Sequence, residues 1–144
     1  MGSHQIDWSA LFERAWAARQ NAYAPYSGFN VGASVAPKTG EIFAGCNVEN
    51  SSFGLTICAE RVAVATAVQA GFLNLVGLAI VAETDEPTPP CGACRQFLAE
   101  FNPGLLVRSA GRGGVLKEWS LDQLLPWPLV QAEKGRNSTW NTFS

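Results

Sequence analysis

The segment from Cys58 to Ala70, CAERVAVATAVQA, most constrains the fold, because it has a helical composition and almost no polar face. Gly71 follows it as a typical helix-ending glycine. A helix that is apolar all round must be covered on every side. The chain has 144 residues, which fits one domain with few elements to provide that cover. We therefore expect part of this helix to be buried between subunits.

The segments around this helix predict an α/β fold. Asp7 is a plausible N-cap of a first helix, and the runs NVGASVAP and EIFAGCNV read as a hairpin joined at KTG. The apolar run LVGLAIVAE predicts a buried central strand, and another helix begins after Pro90. Two strands around GRGG and a short helix capped by Ser120 complete the order. This order predicts a three-layer αβα arrangement with a mixed central sheet of about five strands.

We expect one domain over residues 5–130, because there are no repeats or linkers. Residues 131–144 are polar and predict a flexible tail, and residues 1–4, MGSH, resemble an expression-tag remnant. The net charge of −2 argues against a nucleic-acid partner, and no apolar stretch reaches the roughly 18 residues of a membrane span. No signal peptide is visible, so the four cysteines favour a cytoplasmic protein.

Three of these cysteines, Cys58, Cys91 and Cys94, lie at predicted helix starts. Helix N-termini favour anions and so stabilise thiolates. The two helices precede and follow one central strand, and they could aim three thiolates at one ion. Three protein ligands with a fourth position open are the pattern of a catalytic zinc. The only histidine, His4, lies in the presumed tag, so the site is all-sulfur or uses a carboxylate.

The cysteines also allow other interpretations. A C-x-x-C pair alone is a weak signal that fits a dithiol, whereas PPCGAC with a distant CAE is much stronger. Cys46 could complete a closed structural zinc site, although it lies near a strand end, twelve residues before Cys58.

Three charged side chains lie close to the cysteine ligands in sequence. Glu60 can face the open coordination position and transfer protons there, or it can merely complement the helix dipole. Arg61, three residues after Cys58, and Arg95, next to Cys94, are candidates for donating hydrogen bonds to the sulfurs. The alternative for Arg61 is an ordinary surface position.

The segments CAE and PCGAC match the signature of zinc deaminases, in which a non-ligand glutamate works beside a cysteine-bound zinc. With AYAPYSGFNVGA, GCNVENSSFGLTICAER, PCGACRQ and LLP, the chain closely resembles the small homotetrameric cytidine deaminases of pyrimidine salvage, from about Ala10 to Leu129. The resemblance implies one zinc per chain on Cys58, Cys91 and Cys94. It also implies hydrolysis of cytidine and deoxycytidine to uridine, deoxyuridine and ammonia.

The same resemblance implies roles for the substrate-facing residues. Glu60 would shuttle protons, and Phe29 would stack on the pyrimidine. Asn47 and Glu49 would bind the ribose 3′-hydroxyl, and the backbone N–H of Ala59 would donate to the pyrimidine carbonyl. The residues alone favour a core aromatic at Phe29, and they equally allow an ordinary strand-to-loop transition at NVEN.

Two positions depart from the family pattern. Phe53 stands where many relatives have tyrosine, so a hydroxyl contact to the sugar from a neighbouring subunit would be lost. Leu129 stands where relatives often have phenylalanine, with Trp127 nearby, so the aromatic lid over the base would be weaker or reassigned. In a tetramer, Phe53 would reach toward the pocket of a neighbour and complete its site.

Three rival functions stay open at this stage. A deaminase of a modified cytosine nucleoside or a nucleoside antibiotic would keep the zinc site but alter NVEN, which is intact here. A nucleic-acid base deaminase would need a basic, aromatic surface to hold a strand. A non-enzymatic zinc protein would bind metal without releasing ammonia.

Overall fold

The computed structural model describes residues 5–131, so the predicted tag remnant and nearly all of the predicted tail lie outside the described residues. The elements follow in the order α1 (Trp8–Arg19), β1 (Val31–Pro37), β2 (Phe43–Cys46), α2 (Ala59–Gln69), β3 (Leu75–Ala82), α3 (Gly92–Ala99), β4 (Leu106–Ala110), β5 (Leu116–Ser120) and α4 (Leu121–Leu124). The predicted polar loop between β2 and α2 contains one short 3₁₀ turn, Phe53–Leu55.

The five strands form one mixed sheet in the order β2-β1-β3-β4-β5. Only β3 and β4 run parallel, and the other neighbours are antiparallel. β3 lies at the centre and is buried along almost its whole length, as its apolar run predicts. The structure confirms the predicted mixed sheet of five strands.

Helices cover both faces of the sheet, which confirms the αβα layering. α1 packs on one face, where its Ala15 joins a small cluster with Val81 and Ala110. α2 and α3 pack together on the other face, where Val64 and Leu98 belong to the main core. Because α2 and α3 share a face, their N-termini can meet.

Two glycines allow the helices to approach the strands closely. A Cβ atom at Gly45 of β2 would lie 2.6 Å from the backbone nitrogen of Ala63 in α2. A Cβ atom at Gly32 of β1 would lie 2.0 Å from the carbonyl oxygen of Ala15 in α1. Both distances are below any normal carbon contact, so the helix backbones rest directly on the sheet.

The helix starts lie where the sequence predicts them. The Asp7 side chain caps α1 by accepting a hydrogen bond from the Ala10 N–H at 3.1 Å. Cys58 is the N-cap of α2 and Cys91 is the N-cap of α3. Gly71 follows α2 with a φ of 97°, a conformation that favours glycine.

Cover of α2 is incomplete in a single chain. Ala63, Val64 and Ala67 are buried against the sheet, whereas Ala65 and Thr66 on the opposite side are exposed. Complete burial of this helix is therefore not reached within one subunit. In the span 5–131, the chain has no helix of the length and apolarity needed to cross a membrane.

Candidate active site

Three cysteine sulfurs converge where α2 and α3 begin. The Sγ atoms of Cys58, Cys91 and Cys94 all lie within 4.8 Å of one another, and those of Cys58 and Cys91 are 3.7 Å apart. Sulfurs that share a tetrahedral zinc at about 2.3 Å from the metal lie about 3.8 Å apart. The spacing and the all-thiol donor set therefore fit one zinc ion.

Cys46 does not join this cluster among the described residues. It ends β2 opposite Gly32, and burial raises the pKa of its thiol. The interpretation of a closed four-sulfur site is therefore wrong. Three ligands leave one position of a tetrahedral ion open, as a catalytic site requires.

The three thiols interact strongly. The pKa of Cys58 is lowered to about 5, first by a hydrogen bond with the Cys94 thiol and further by the Arg61 guanidinium. The pKa of Cys94 is raised well above its usual range, first by the same contact with Cys58 and then by burial. The Cys58 thiolate is thus stabilised by its neighbours, and its negative charge opposes the ionisation of Cys94. A divalent cation would remove that opposition by binding all three as thiolates.

The two arginines of the sequence prediction have different partners. Nη2 of Arg61 donates to Sγ of Cys58 at 3.7 Å and to the carbonyl oxygen of Thr56 at 3.2 Å. Arg95 instead donates to the carbonyl oxygens of Pro90 at 2.8 Å and Leu124 at 3.0 Å. The prediction of a sulfur contact from Arg95 is wrong, because its side chain ties the loop before α3 to the end of α4.

Glu60 is a buried carboxyl group beside the cluster. It lies in the first turn of α2, its relative exposure is 4%, and it lines the same cavity as Cys58 and Cys91. Burial raises its pKa to about 7. A carboxyl group with such a pKa can both hold and release a proton near neutral pH, which suits a proton-transfer group. A surface role that complements the helix dipole would not require this burial.

The cavity has a volume of about 220 Å³, which is small for a ligand site and suits a compact molecule. All four residues that were predicted to contact the substrate line this cavity, as do two of the three cysteines of the cluster. Its lining residues are Phe29, Val31, Asn47, Glu49, Thr56, Cys58, Ala59, Glu60, Thr88, Pro89 and Cys91.

Asn47 is buried and clamps the start of β1. Its Oδ1 accepts from the Val31 N–H at 2.9 Å, and its Nδ2 donates to the Phe29 carbonyl oxygen at 2.7 Å. An asparagine side chain has two N–H donors and two acceptor lone pairs. One N–H and one lone pair of Asn47 therefore remain for a ligand.

The Glu49 carboxylate holds the turn that precedes Phe29. Its Oε1 accepts from the backbone N–H groups of Tyr26 at 3.0 Å and Ser27 at 3.2 Å, and its Oε2 accepts from the Ser27 hydroxyl. The hydrogen bond from the Ser27 hydroxyl is the main cause of a lowered pKa at Glu49. Three of roughly four lone-pair sites of the ionised group are thus occupied.

The structure also corrects the interpretation of Phe29 and adds residues that the sequence analysis missed. Phe29 is 43% exposed at the cavity, so the interpretation as a core aromatic is wrong. Thr56 and Thr88 also line the cavity, and Ser27 supports it. The position of Thr88 directly before the Pro-Pro pair of the ligand loop was a signal that could have identified it.

The two departures from the family pattern lie at the surface. Phe53 is 73% exposed, and its ring centroid lies 5.7 Å from that of Tyr26. Leu129 is also largely exposed, and the Gln96 side chain holds its backbone N–H and carbonyl through two hydrogen bonds of 3.0 Å each. Neither Phe53 nor Leu129 lines the cavity of the single chain as described.

Comparisons with known proteins agree on one family. The family described as the cytidine and deoxycytidylate deaminase zinc-binding region matches residues 6–109. A cytidine deaminase from Halalkalibacterium halodurans is 44% identical over 84% of this chain and 92% of its own length, and one from Sporosarcina psychrophila is 43% identical over 84% and 90%. The crystal structure of a cytidine deaminase from Burkholderia pseudomallei superposes with a TM-score of 0.82 at 45% identity, covering 86% of this chain and all of that one.

Proposed function

The chain belongs to the cytidine and deoxycytidylate deaminase family, and from that premise we propose that it hydrolyses cytidine and deoxycytidine to uridine and deoxyuridine with release of ammonia. The observation that carries this proposal is that the three sulfurs converge at a small cavity, which Cys58 and Cys91 of the cluster line together with the buried Glu60. Asn47 and Glu49 line the same cavity and offer a donor and an acceptor for a sugar hydroxyl.

Cys58, Cys91 and Cys94 would hold one zinc ion per chain. When bound, zinc would act as a Lewis acid that lowers the pKa of water. Arg61 donates to the Cys58 sulfur and would offset part of the negative charge of three thiolates.

Glu60 moves the protons of the reaction. It accepts one proton of the attacking water and donates it to the ring nitrogen N3, which makes C4 a better electrophile. It then transfers the second proton to the 4-amino nitrogen, which leaves as ammonia while C4 keeps the water oxygen as a carbonyl. A pKa near 7 in the metal-free chain fits a group that gives and takes a proton in one cycle.

The remaining walls bind and orient the nucleoside. The Phe29 ring stacks on the pyrimidine, and the N–H of Ala59, which has no acceptor within its helix, donates to the pyrimidine carbonyl. The remaining N–H of Asn47 donates to the 3′-hydroxyl, and the remaining lone pair of Glu49 accepts from it. A sugar without that hydroxyl would leave both groups unsatisfied. Backbone carbonyls around Pro89 orient the leaving amine.

We also propose a homotetramer whose sites are completed by neighbouring subunits. The exposed side of α2 and the exposed apolar side chains of Phe53, Leu55 and Ile57 support this assembly, because contiguous apolar surface marks contact sites. Closed symmetry is the usual form of such assemblies. Phe53 and Leu129 are the candidates to reach the cavity of a neighbour.

We propose the cytoplasm as the location of the protein. Three thiolate ligands require reduced cysteines, which a reducing compartment maintains.

Product analysis tests the proposed reaction. The zinc-loaded protein is incubated with cytidine, deoxycytidine and cytosine nucleosides modified on the ring or on N4, and the products and ammonia are quantified. We expect uridine and deoxyuridine with one equivalent of ammonia. Turnover of modified nucleosides alone would identify the rival nucleoside or antibiotic deaminase, and metal binding without any ammonia would contradict an enzymatic role.

A further inference from the structure

The Ser27 hydroxyl touches two residues of the proposed substrate cavity at once. It donates to Oε2 of Glu49 and accepts from the Phe29 backbone N–H at 3.0 Å. Phe29 and Glu49 both line the cavity. One side chain without a role in the proposed reaction therefore links the residue proposed to stack on the base, Phe29, with a residue proposed to bind the sugar, Glu49.

The turn that carries Ser27 has other support. The Gly28 N–H donates to the Ala24 carbonyl oxygen at 2.9 Å, and Gly28 has a φ of 72°, which favours glycine. The backbone N–H groups of Tyr26 and Ser27 donate to Oε1 of Glu49. The turn thus keeps three hydrogen bonds when the Ser27 hydroxyl is removed, so the loss of that hydroxyl should leave the chain folded.

The hydroxyl determines where the second carboxylate oxygen of Glu49 lies. Rotation about the terminal torsion of a glutamate side chain meets only a broad, shallow preference. Two backbone N–H groups hold Oε1, and the Ser27 hydroxyl is the donor that holds Oε2, so the three hydrogen bonds together fix the carboxylate against this rotation. Without it, only the two backbone hydrogen bonds to Oε1 restrain the carboxylate, so Oε2 can rotate away from the sugar hydroxyl or bind water instead.

We propose that Ser27 is a positioning residue that determines the preference for a nucleoside with a 3′-hydroxyl, because it holds Glu49 in the orientation that accepts from that hydroxyl. This inference rests on the proposed function. A serine that bonds to the N–H two residues later is also a common turn motif. If Ser27 only shaped the turn, its loss would weaken the processing of every nucleoside alike.

Steady-state kinetics on cytidine and 3′-deoxycytidine separate the two roles. The zinc-loaded wild type is compared with Ser27→Ala, with Ser27→Thr, which keeps the hydroxyl, and with Ser51→Ala. Ser51 is a matched control, because its hydroxyl bonds to the Tyr26 hydroxyl at 2.6 Å and links the same two segments without touching Glu49. Ser27→Cys, with a weakly donating thiol, replaces the alanine variant if that one does not fold.

We expect Ser27→Ala to lower kcat/KM for cytidine by about 10- to 100-fold, mainly through KM, since the hydrogen bond lost is to a charged group. The value for 3′-deoxycytidine should change by less than about threefold, since that substrate never used the aligned acceptor. Ser27→Thr and Ser51→Ala should keep the wild-type ratio between the two nucleosides.

Equal losses on both nucleosides, or an equal change in Ser51→Ala, would overturn the positioning role. A wild type that deaminates both nucleosides equally well would also overturn it, while leaving the deaminase assignment intact. A wild type that releases no ammonia from cytidine would instead refute the proposed function.

Discussion

The Sγ atoms of Cys58 and Cys91 lie 3.7 Å apart, although 33 residues separate them in the chain. Each cysteine is the N-cap of a helix, and the two helices share one face of the sheet. Helix N-termini stabilise thiolates. The fold therefore brings the N-termini of α2 and α3, both of which favour thiolates, to one point.

Zinc content is the first prediction. The purified protein should contain about one zinc per chain, since three sulfurs at this spacing match one tetrahedral ion. Cys58→Ser should lose the metal, while Cys46→Ser, which alters the cysteine outside the cluster, should retain it. Elemental analysis by mass spectrometry checks both. Bound iron, or a Cys91–Cys94 disulfide without metal, would refute the site.

Replacement of Glu60 should remove turnover but keep zinc and fold, because Glu60 is assigned no ligand role. Loss of general acid–base catalysis should lower kcat by at least about 10²- to 10⁴-fold in Glu60→Ala. Glu60→Gln is the matched control, since it keeps the volume of the side chain and should be equally inactive. Kinetics with parallel metal analysis decide the matter, and either a near-normal rate or a loss of zinc contradicts the assignment.

The raised pKa of Glu60 has a consequence for the stability of the metal-free protein. Its pKa is about 7 in the folded chain against an ordinary 4.5, so the folded state binds more protons between these values and stability falls as pH rises through them. The difference corresponds to about 3 kcal/mol.

Denaturant unfolding of metal-free wild type and Glu60→Gln at several pH values measures this effect. The variant should gain stability relative to wild type as pH rises from 4.5 to 8, and the comparison cancels much of the titration of other groups. A difference that does not change with pH would show that the Glu60 pKa is not raised.

Asn47→Ala should weaken nucleoside processing far more than it changes zinc content. The substitution leaves the Val31 N–H and the Phe29 carbonyl oxygen without their partner, so it should also lower the free energy of unfolding by about 1–3 kcal/mol. Kinetics on cytidine, metal analysis and thermal unfolding are measured together. Unchanged kinetics would refute the contact with the sugar.

A charge on the exposed side of α2 tests the assembly. Ala65→Glu should dissociate the tetramer, because that surface is proposed to be buried between subunits, and the separated chains should keep zinc and lose activity. Ala17→Glu is the matched control, since Ala17 is an exposed alanine of α1 on the other face of the sheet. Light scattering at the assay concentration measures the mass, and a fully active monomer would contradict completion of the sites by neighbours.

Local patterns were sufficient to predict most of the fold and the metal ligands. Asp7, Cys58 and Cys91 begin helices for reasons that lie within a few residues of each, and the apolar run of β3 marks the central strand. Those signals predict helix starts and strand positions because capping, glycine stops and periodicity act over short distances.

The tertiary structure decided which side chains meet across long separations. The sequence predicts the same sulfur contact for Arg61 and Arg95, yet only Arg61 reaches a sulfur. The partner of each arginine depends on which groups the packing of α2 and α3 places beside it. The sequence by itself determined the ligand types and the helix ends that carry them. Only the folding of distant segments onto one sheet placed Ser27 against Glu49, 22 residues away, because such a contact depends on strand register and helix packing rather than on any local pattern.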